Sequence, residues 1–479
     1  MKLKELLRGI KYLDSKGDLN VDILSLSQNA QKESLGGLLF CYKGVKFDTH
    51  DFVNIFKEKG YVAIVVERFL EIDLPQILVK NTRKVMPKIC DKFFNNVSKK
   101  LHFIAVTGTN GKTTTTSIIY QILNNAGTKS ALIGTSGVLY DGKMLSPTLT
   151  TPDTVDFFYL LNDFIKSGIK YVVMEVSAHA LSLDKLKGIK FDISIFTNIT
   201  QDHLDFFRNM GNYSRAKLKL FTSHYTKFAI LNTDDKYGYM FSHILNIPFT
   251  TYGIDAPAQN FAMDISCSLS GSRFLVNSMD TIFDISTPLI CKFNVYNILG
   301  AITACLKIGI DADVVYKTIQ SLSPISGRMN VYTLKNDAIA VIDYAHTPDG
   351  LEQAIKNLKS LSQGRIITLF GCGGDRDRLK RPKMGYIASI LSDFVFVTSD
   401  NPRFEDPIQI IRNITDGIKG NNFTCITDRK ECLNTALNSL NSGDILLIAG
   451  KGAEDYIDIK GQKKHYSDYD VLKSYLKRN

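Results

Sequence analysis

Short apolar runs rich in β-branched and aromatic residues recur along the chain, and longer stretches with helical spacing separate them. Near the start the runs are GLLFCY (37–42), YVAIVV (61–66) and 76–79, with a helical stretch expected over Asp51–Lys59. The next run, HFIAVT, ends at Thr107, and SIIYQILNNAG continues a helix after it. YVVMEV, ISIFTN and FAILN then end at Val176, Asn198 and Asn232. A β-rich, irregular stretch over 255–290 precedes a helix starting near Asn294. After SPISGRMN the runs IAVID, IITLFG, FVFVTS and ILLIAG end at Asp343, Gly371, Ser399 and Gly450. Strands alternating with helices predict an α/β fold with mainly parallel sheets. A chain of 479 residues, at ~150 per domain, suggests about three domains. We expect a small N-terminal α/β domain over 1–85, a central P-loop-type ATPase α/β domain over 86–325, and a C-terminal Rossmann-like α/β domain over 326–479.

Polar motifs follow these strands directly: GTNGKTTT, SAH, ITQDH, YAHTPD, CGGDRD, DNPR and KGAED. In open α/β sheets ligands bind beyond the carboxyl ends of strands, so polar clusters at so many strand ends predict a shared site. Composition narrows its chemistry. The chain is 44% hydrophobic and 22% charged, which excludes disordered and fibrous classes. No apolar run reaches the ~18 residues of a membrane span, and the start lacks an apolar signal core, so a cytoplasmic protein without membrane insertion is expected. Eight scattered cysteines without C-x-x-C read as free thiols in a reducing compartment, with no zinc site. The net charge of +10 is spread along the chain, so an anionic small molecule fits it better than nucleic acid.

Val106 to Thr116, VTGTNGKTTTT, joins a strand to a helix. In such a loop glycines let backbone N–H groups close on phosphate, Lys112 reaches the terminal phosphates, and a hydroxyl reaches Mg²⁺. The helix N-terminus adds its positive dipole end. The spacing is G-x-x-G-K-T, with Val106 where the usual pattern has its first glycine. Downstream, Glu175 and the pair Asp202–His203 end strands; Mg²⁺ prefers hard oxygen donors, which suits Glu175 better than His203.

GTNGKTTT, MEVSAHAL, TNITQDHLDFF, FNVYNILGA, VIDYAHTPDG, GCGGDRDRLKRPKMG, SDNPR and AGKGAEDY stand in the order and spacing of the Mur ligases, which the chain resembles from about Ser27 to Tyr456. The closest likeness is to members adding the third residue of the peptidoglycan stem peptide. The resemblance implies ATP-dependent, ADP-forming amide ligation through an acyl phosphate, with UDP-MurNAc-L-Ala-D-Glu as acceptor and Mg²⁺ as cofactor. It implies that Gly108, Thr109, Asn110, Gly111, Lys112, Thr113 and Thr114 bind ATP, Asn294 its adenine, and Arg328 and Asp343 the nucleotide from the C-terminal side. Metal contacts would come from Thr113, Glu175, His203 and Lys217, with Lys112, Lys217, His203 and Glu175 forming the catalytic set.

Lys217 matches the lysine that the family carbamylates. A lysine amine at its ordinary pKa of ~10.4 is protonated and would repel Mg²⁺, whereas a CO₂-derived carbamate offers anionic oxygens. Ser27, Thr150, Thr151, Ser177 and Lys185 match positions holding the UDP-muramoyl dipeptide. Arg376, Asp400, Asn401, Pro402, Arg403, Gly450 and Glu454 match the amino-acid pocket. Arg403 can grip a carboxylate with two parallel hydrogen bonds, Asn401 adds an amide, and Glu454 can take a distal ammonium. Meso-diaminopimelate is therefore expected in preference to L-lysine. Asp343 and His346 lie in the third block and the phosphate loop in the second, so they can serve one nucleotide only across an interface. Departures from the family pattern are Leu183, Lys185, Asn330 and Ala453, where Gln, Arg, Glu and His are common. A monomer is expected. Two rivals remain: a P-loop switch without covalent chemistry, which leaves DNPR and GCGGDRD unemployed, and a folylpolyglutamate synthetase, against which DNPR argues.

Overall fold

The computed structural model describes residues 1–44, 47–146 and 149–478. The chain divides into two compact units. The first comprises residues 1–105, 128–194 and 216–228; the second comprises 106–127, 195–215 and 229–479. Strands His102–Thr107, Phe191–Phe196 and Thr226–Asn232 begin in the first unit and end in the second.

In the first unit, five strands order as Asp14–Lys16, Gln76–Leu78, Tyr61–Val66, Gly37–Phe40, Ser25–Ser27. All neighbours run parallel except the first pair. Leu38 to Cys41 and Ala63 to Val66 are wholly buried, as continuous apolar runs covered on both faces should be. The stretch expected as a helix over Asp51–Lys59 instead forms a 3₁₀ segment at Thr49–Ile55. Asp48 accepts a hydrogen bond from the His50 backbone N–H at its start, and Phe52 (φ −96°, ψ 20°) interrupts its helical geometry. A side-chain cap thus starts this segment earlier, and the break at Phe52 keeps it from growing into a regular α-helix. Further along, Ser130–Gly134 pairs in parallel with Tyr171–Glu175 and antiparallel with Gly137–Tyr140. Helix Thr82–Phe93, capped by Asn81, runs through residues 85 and 86.

The second unit contains the predicted β-rich stretch as three antiparallel strands, Asn260–Ser268, Gly271–Ser278 and Thr281–Thr287. It also contains a six-stranded sheet in the order Asn330–Thr333, Ile339–Asp343, Ile445–Ala449, Ile366–Phe370, Phe394–Val397, Phe423–Cys425. Only the first pair is antiparallel. Alternation along Ile445–Ala449 shows why its sequence is apolar throughout. Ile445, Leu447 and Ala449 pack with Leu351, Ile355, Met384 and Ile410 from helices on one face. Leu446 and Ile448 pack with Leu433, Leu437 and Leu472 from helices on the other. Helix starts are set locally: Thr347 and Asp406 cap helices that open with Pro348 and Pro407, where a missing N–H costs nothing. The parallel strands therefore deliver Tyr344, Cys372, Asp400 and Gly450 to one sheet edge, at their carboxyl ends.

No helix among the described residues is long and apolar enough to cross a membrane. All eight cysteines are free thiols.

Candidate active site

The phosphate-loop sequence joins strand His102–Thr107 to helix Lys112–Asn125, as its pattern predicts. Gly111 sits at φ +85°, a left-handed conformation that glycine adopts without strain. At Gly108 a Cβ would lie 1.9 Å from Thr197 Oγ1, so only glycine lets the loop approach that strand end. Thr109 N–H donates to Asn198 O (2.8 Å) and Asn110 N–H to Asn198 Oδ1 (2.9 Å). The loop is thus preset by the segment after ISIFTN. Lys112 Nζ donates to the Gly108 and Thr109 carbonyls at 3.0 and 2.8 Å, folding its ammonium over the loop. Thr113 and Thr114 are both buried in the first helical turn.

Asn294 lies on helix Lys292–Lys307, and its amide is engaged inside the protein. It donates to Ile290 O (2.8 Å) and accepts from Asn297 Nδ2 (2.9 Å). Asn297 Oδ1 in turn accepts from Thr115 Oγ1 (3.3 Å) and lies 2.4 Å from where a Gly111 Cβ would be. Sequence patterns alone do not single out Asn297; the signal for it is the repeated Asn in FNVYNILGA.

The C-terminal block meets this loop within the same unit. Arg328 Nη2 donates to Thr113 Oγ1 (2.8 Å), while its guanidinium lies 4.6 Å from the centre of the Tyr344 ring. Asn110 Nδ2 donates to Asp349 Oδ2 (2.9 Å). Asp343 is buried and accepts from the Met329 and Ala345 N–H groups at 2.9 and 2.8 Å. Burial raises its carboxyl above the usual range, against the opposing pull of Arg328 and those amides. Its carboxylate therefore shapes the turn that carries Arg328. His346 Nδ1 lies 2.8 Å from Tyr344 O, and burial and the nearby Lys380 lower its pKa to about 4.

His203 adopts a left-handed backbone at φ 56°. Its ring Nε2 lies 3.2 Å from Asp202 Oδ2, and its backbone N–H donates to Asp202 Oδ1 (2.9 Å). Burial alone would raise Asp202, but Lys380, His203 and His346 outweigh it and hold the carboxyl well below its usual range. Asp202 is thus the group that orients His203. Lys380, 3.8 Å away and almost fully buried, stands in GCGGDRDRLKRPKMG, where sequence pattern gives it no role.

In the first unit, Glu175 ends strand Tyr171–Glu175 and is 1% exposed. Thr135 N–H donates to its Oε1 (2.9 Å) and Thr135 Oγ1 to its Oε2 (3.0 Å). A Cβ on Gly134 would come 2.3 Å from Oε1, so the glycine makes room for the carboxylate. Thr151 Oγ1 donates to Glu175 O (3.0 Å) and to Ser177 Oγ (3.3 Å), and Thr150 Oγ1 lies 3.2 Å from Thr135 Oγ1. Four expected residues, Thr150, Thr151, Glu175 and Ser177, are thereby brought together, and Thr135 joins them unanticipated. Lys217, on helix Met210–Leu218, is 1% exposed. Ser27 is buried at the end of strand Ser25–Ser27, its hydroxyl donating to Asn29 O (3.0 Å), and Lys185 pairs with Asp153 (2.6 Å).

Glu175 offers the hard oxygens Mg²⁺ prefers, and the hydrogen-bonded cradle around it keeps its carboxylate in place. That carboxylate fits the ion.

The expected amino-acid pocket surrounds the carboxyl ends of the six-stranded sheet. Asn401 Nδ2 donates to Glu454 Oε2 (2.8 Å), and Tyr344 OH donates to Glu454 Oε1 (3.2 Å). Arg403, at φ 51°, donates from Nη1 to Gly374 O (2.5 Å), so its guanidinium lies along the glycine pair of GCGGDRD. Arg376 is exposed beside Gly373. Gly450, at φ 106°, leaves room for Asp400: a Cβ there would stand 2.9 Å from Oδ2. Burial would raise Asp400, but Lys451 and Arg429 outweigh it and lower its pKa. Pro402 is buried, its carbonyl closed against Gly374. The departures settle locally. Asn330 Oδ1 accepts from Gly327 N–H (2.7 Å) and its amide donates to Ile325 O (3.0 Å), while Ala453 is exposed and Leu183 caps a short helix.

Comparison with known proteins points the same way. Residues 106–305 match the family "Mur ligase middle domain", and 327–452 match "Mur ligase, glutamate ligase domain". The chain is 39% identical to UDP-N-acetylmuramoyl-L-alanyl-D-glutamate–2,6-diaminopimelate ligase 1 of Clostridium acetobutylicum, over 100% of this chain and 99% of that one. It is 40% identical to the 2,6-diaminopimelate ligase of Aquifex aeolicus, over 95% and 94%. A solved structure of a UDP-N-acetylmuramoyl-L-alanyl-D-glutamate–2,6-diaminopimelate ligase superposes with a TM-score of 0.70 at 30% identity, covering 100% of this chain and 99% of that one.

Proposed function

The chain belongs to the Mur ligase family of ATP-dependent ligases, and on that premise we propose that it joins meso-2,6-diaminopimelate to UDP-MurNAc-L-Ala-D-Glu in peptidoglycan precursor synthesis. The proposed division of labour follows the blocks expected from sequence: 1–85 for the UDP-sugar, 86–325 for ATP, 326–479 for the amino acid. The D-Glu γ-carboxylate attacks the γ-phosphorus of ATP, and ADP leaves. The neutral amine of diaminopimelate then attacks the acyl-phosphate carbonyl, loses a proton and expels phosphate to leave an amide.

The loop amides of residues 108–111 and Lys112 hold the phosphates, since phosphoryl transfer is mostly positioning and electrostatics. Arg328 and Asn110 tie the loop to the C-terminal block, which excludes water from a hydrolysable acyl phosphate. Thr113, Glu175, His203 and a carbamylated Lys217 would hold Mg²⁺, whose positive charge would offset that of the phosphoryl group. Lys217 is 1% exposed, and the neutral amine is the form that would take up CO₂. Thr150, Thr151, Ser177, Lys185 and Ser27 receive the UDP-muramoyl dipeptide. Arg376, Asp400 to Arg403, Gly450 and Glu454 receive diaminopimelate, its distal carboxylate on Arg403 and its distal ammonium on Glu454. The enzyme acts as a cytoplasmic monomer.

The observation that carries this reading is the Arg328–Thr113 hydrogen bond, which joins the nucleotide loop to the block bearing the Asn401–Glu454 pair. ADP and phosphate release should require both the UDP-dipeptide and an amino acid, with a tripeptide product by mass. Comparable kcat/KM for lysine and diaminopimelate, or ATP turnover indifferent to both partners, overturns the reading.

A further inference from the structure

Lys451 is 0% exposed and holds its ammonium between two carboxylates and an amide. Nζ donates to Asn401 Oδ1 (3.2 Å) and Glu454 Oε2 (3.5 Å) and lies 3.7 Å from Asp400 Oδ1. The Asp458 backbone N–H donates to the same Asn401 Oδ1 (3.0 Å). With two donors on its oxygen, the Asn401 amide has one orientation, its Nδ2 turned to Glu454. A fully buried cation that serves only one surface pair would be expensive; here it offsets two buried or half-buried acids and orders the pair expected to meet the amino acid.

We propose that Lys451 is a specificity-determining positioning residue of the amino-acid pocket; this rests on the diaminopimelate ligase reading above. The charge count gives the mechanism. Asp400, Glu454 and Lys451 together carry a single negative charge, which one ligand ammonium neutralises while the distal carboxylate turns to Arg403. Without Lys451 the same cluster carries two negative charges. It then favours a bare distal ammonium, as in lysine, and repels a distal carboxylate. Lys451 thus keeps the pocket matched to a zwitterionic head group.

The test measures kcat/KM for meso-diaminopimelate and for L-lysine, with KM for ATP as control, in wild type, K451M, D400N and the double variant. In K451M the diaminopimelate-to-lysine ratio should fall at least tenfold while KM for ATP stays within about twofold. In D400N, which removes one acid and keeps the lysine, the ratio should rise. In the double variant the charge count returns to its starting value and the ratio should recover. An unchanged ratio in K451M, or no recovery in the double variant, overturns the proposal. If K451M does not fold, D400N decides alone, and an unchanged ratio there overturns it equally. A wild-type enzyme that uses neither amino acid would remove the underlying reading; an active, selective wild type with insensitive variants would remove only the role of Lys451.

Discussion

Arg429→Met should loosen the strand ends that present the amino-acid pocket. Arg429 and Asp468 both have side chains at 0% exposure, paired through Nε–Oδ1 at 2.8 Å and Nη2–Oδ2 at 2.7 Å. Arg429 Nη2 also donates to Ala449 O (2.9 Å) and Nη1 to Ser399 O (3.5 Å), the carbonyls immediately before Gly450 and Asp400. Burial opposes a charged Arg429, but Asp468 outweighs it and raises its pKa. Methionine would leave a buried carboxylate whose remaining partner is Tyr466 OH (2.9 Å), a loss of about 3–5 kcal/mol for a broken buried pair. Amide hydrogen exchange across Phe394–Val397 and Ile445–Ala449 is the assay, because it reads local opening in a chain of two units. Exchange there should accelerate at least ~10²-fold, at about 1.4 kcal/mol per tenfold. R429M/D468N should regain about 2 kcal/mol, since the orphaned charge is gone and mainly unsatisfied carbonyls at about 1–3 kcal/mol each remain. A single variant costing under about 1 kcal/mol, or a double no better than the single, would refute the reasoning.

Lys217→Ala should abolish most ligase activity, with partial rescue by small carboxylates; full activity in the variant, or no carbamate mass on the wild-type lysine, counts against the assignment. Arg328→Ala, which deletes the hydrogen bond to Thr113, should raise KM for ATP roughly tenfold while leaving KM for diaminopimelate nearly unchanged, and steady-state kinetics decide it. His346 is held near pKa 4 against an ordinary value of 6.5, so the unfolded chain binds the extra proton between these values. Stability from this group is therefore full above about pH 6.5 and is lost as pH falls toward 4. His346→Gln should flatten that slope in urea unfolding, and an identical slope in both proteins would contradict it.

Much of the fold was written in local pattern. Runs such as ILLIA are apolar at every position because helices cover both faces, so sequence alone reveals them as buried parallel strands. GTNGKTTT was legible for a similar reason: a left-handed Gly111, a close approach at Gly108 and a helix opening at Lys112 are demands a few consecutive residues must meet themselves. The 3₁₀ segment at Thr49–Ile55 was misread because a single cap and a single interrupted residue outweighed its helical spacing.

What only the tertiary structure decided is which distant groups meet. Arg328 and Thr113 are 215 residues apart, Asn110 and Asp349 are 239, and Asn401 and Lys451 are 50. Thr135 reaches Glu175 across 40 residues. No periodicity marks such pairs, because their partners are chosen by strand order and helix packing. Sequence therefore exposes Lys451 as one more lysine in a glycine-rich turn. Only burial at a strand end, with Asp400, Asn401 and Glu454 around it, makes its charge consequential, since a buried ammonium must be offset by the acids it meets.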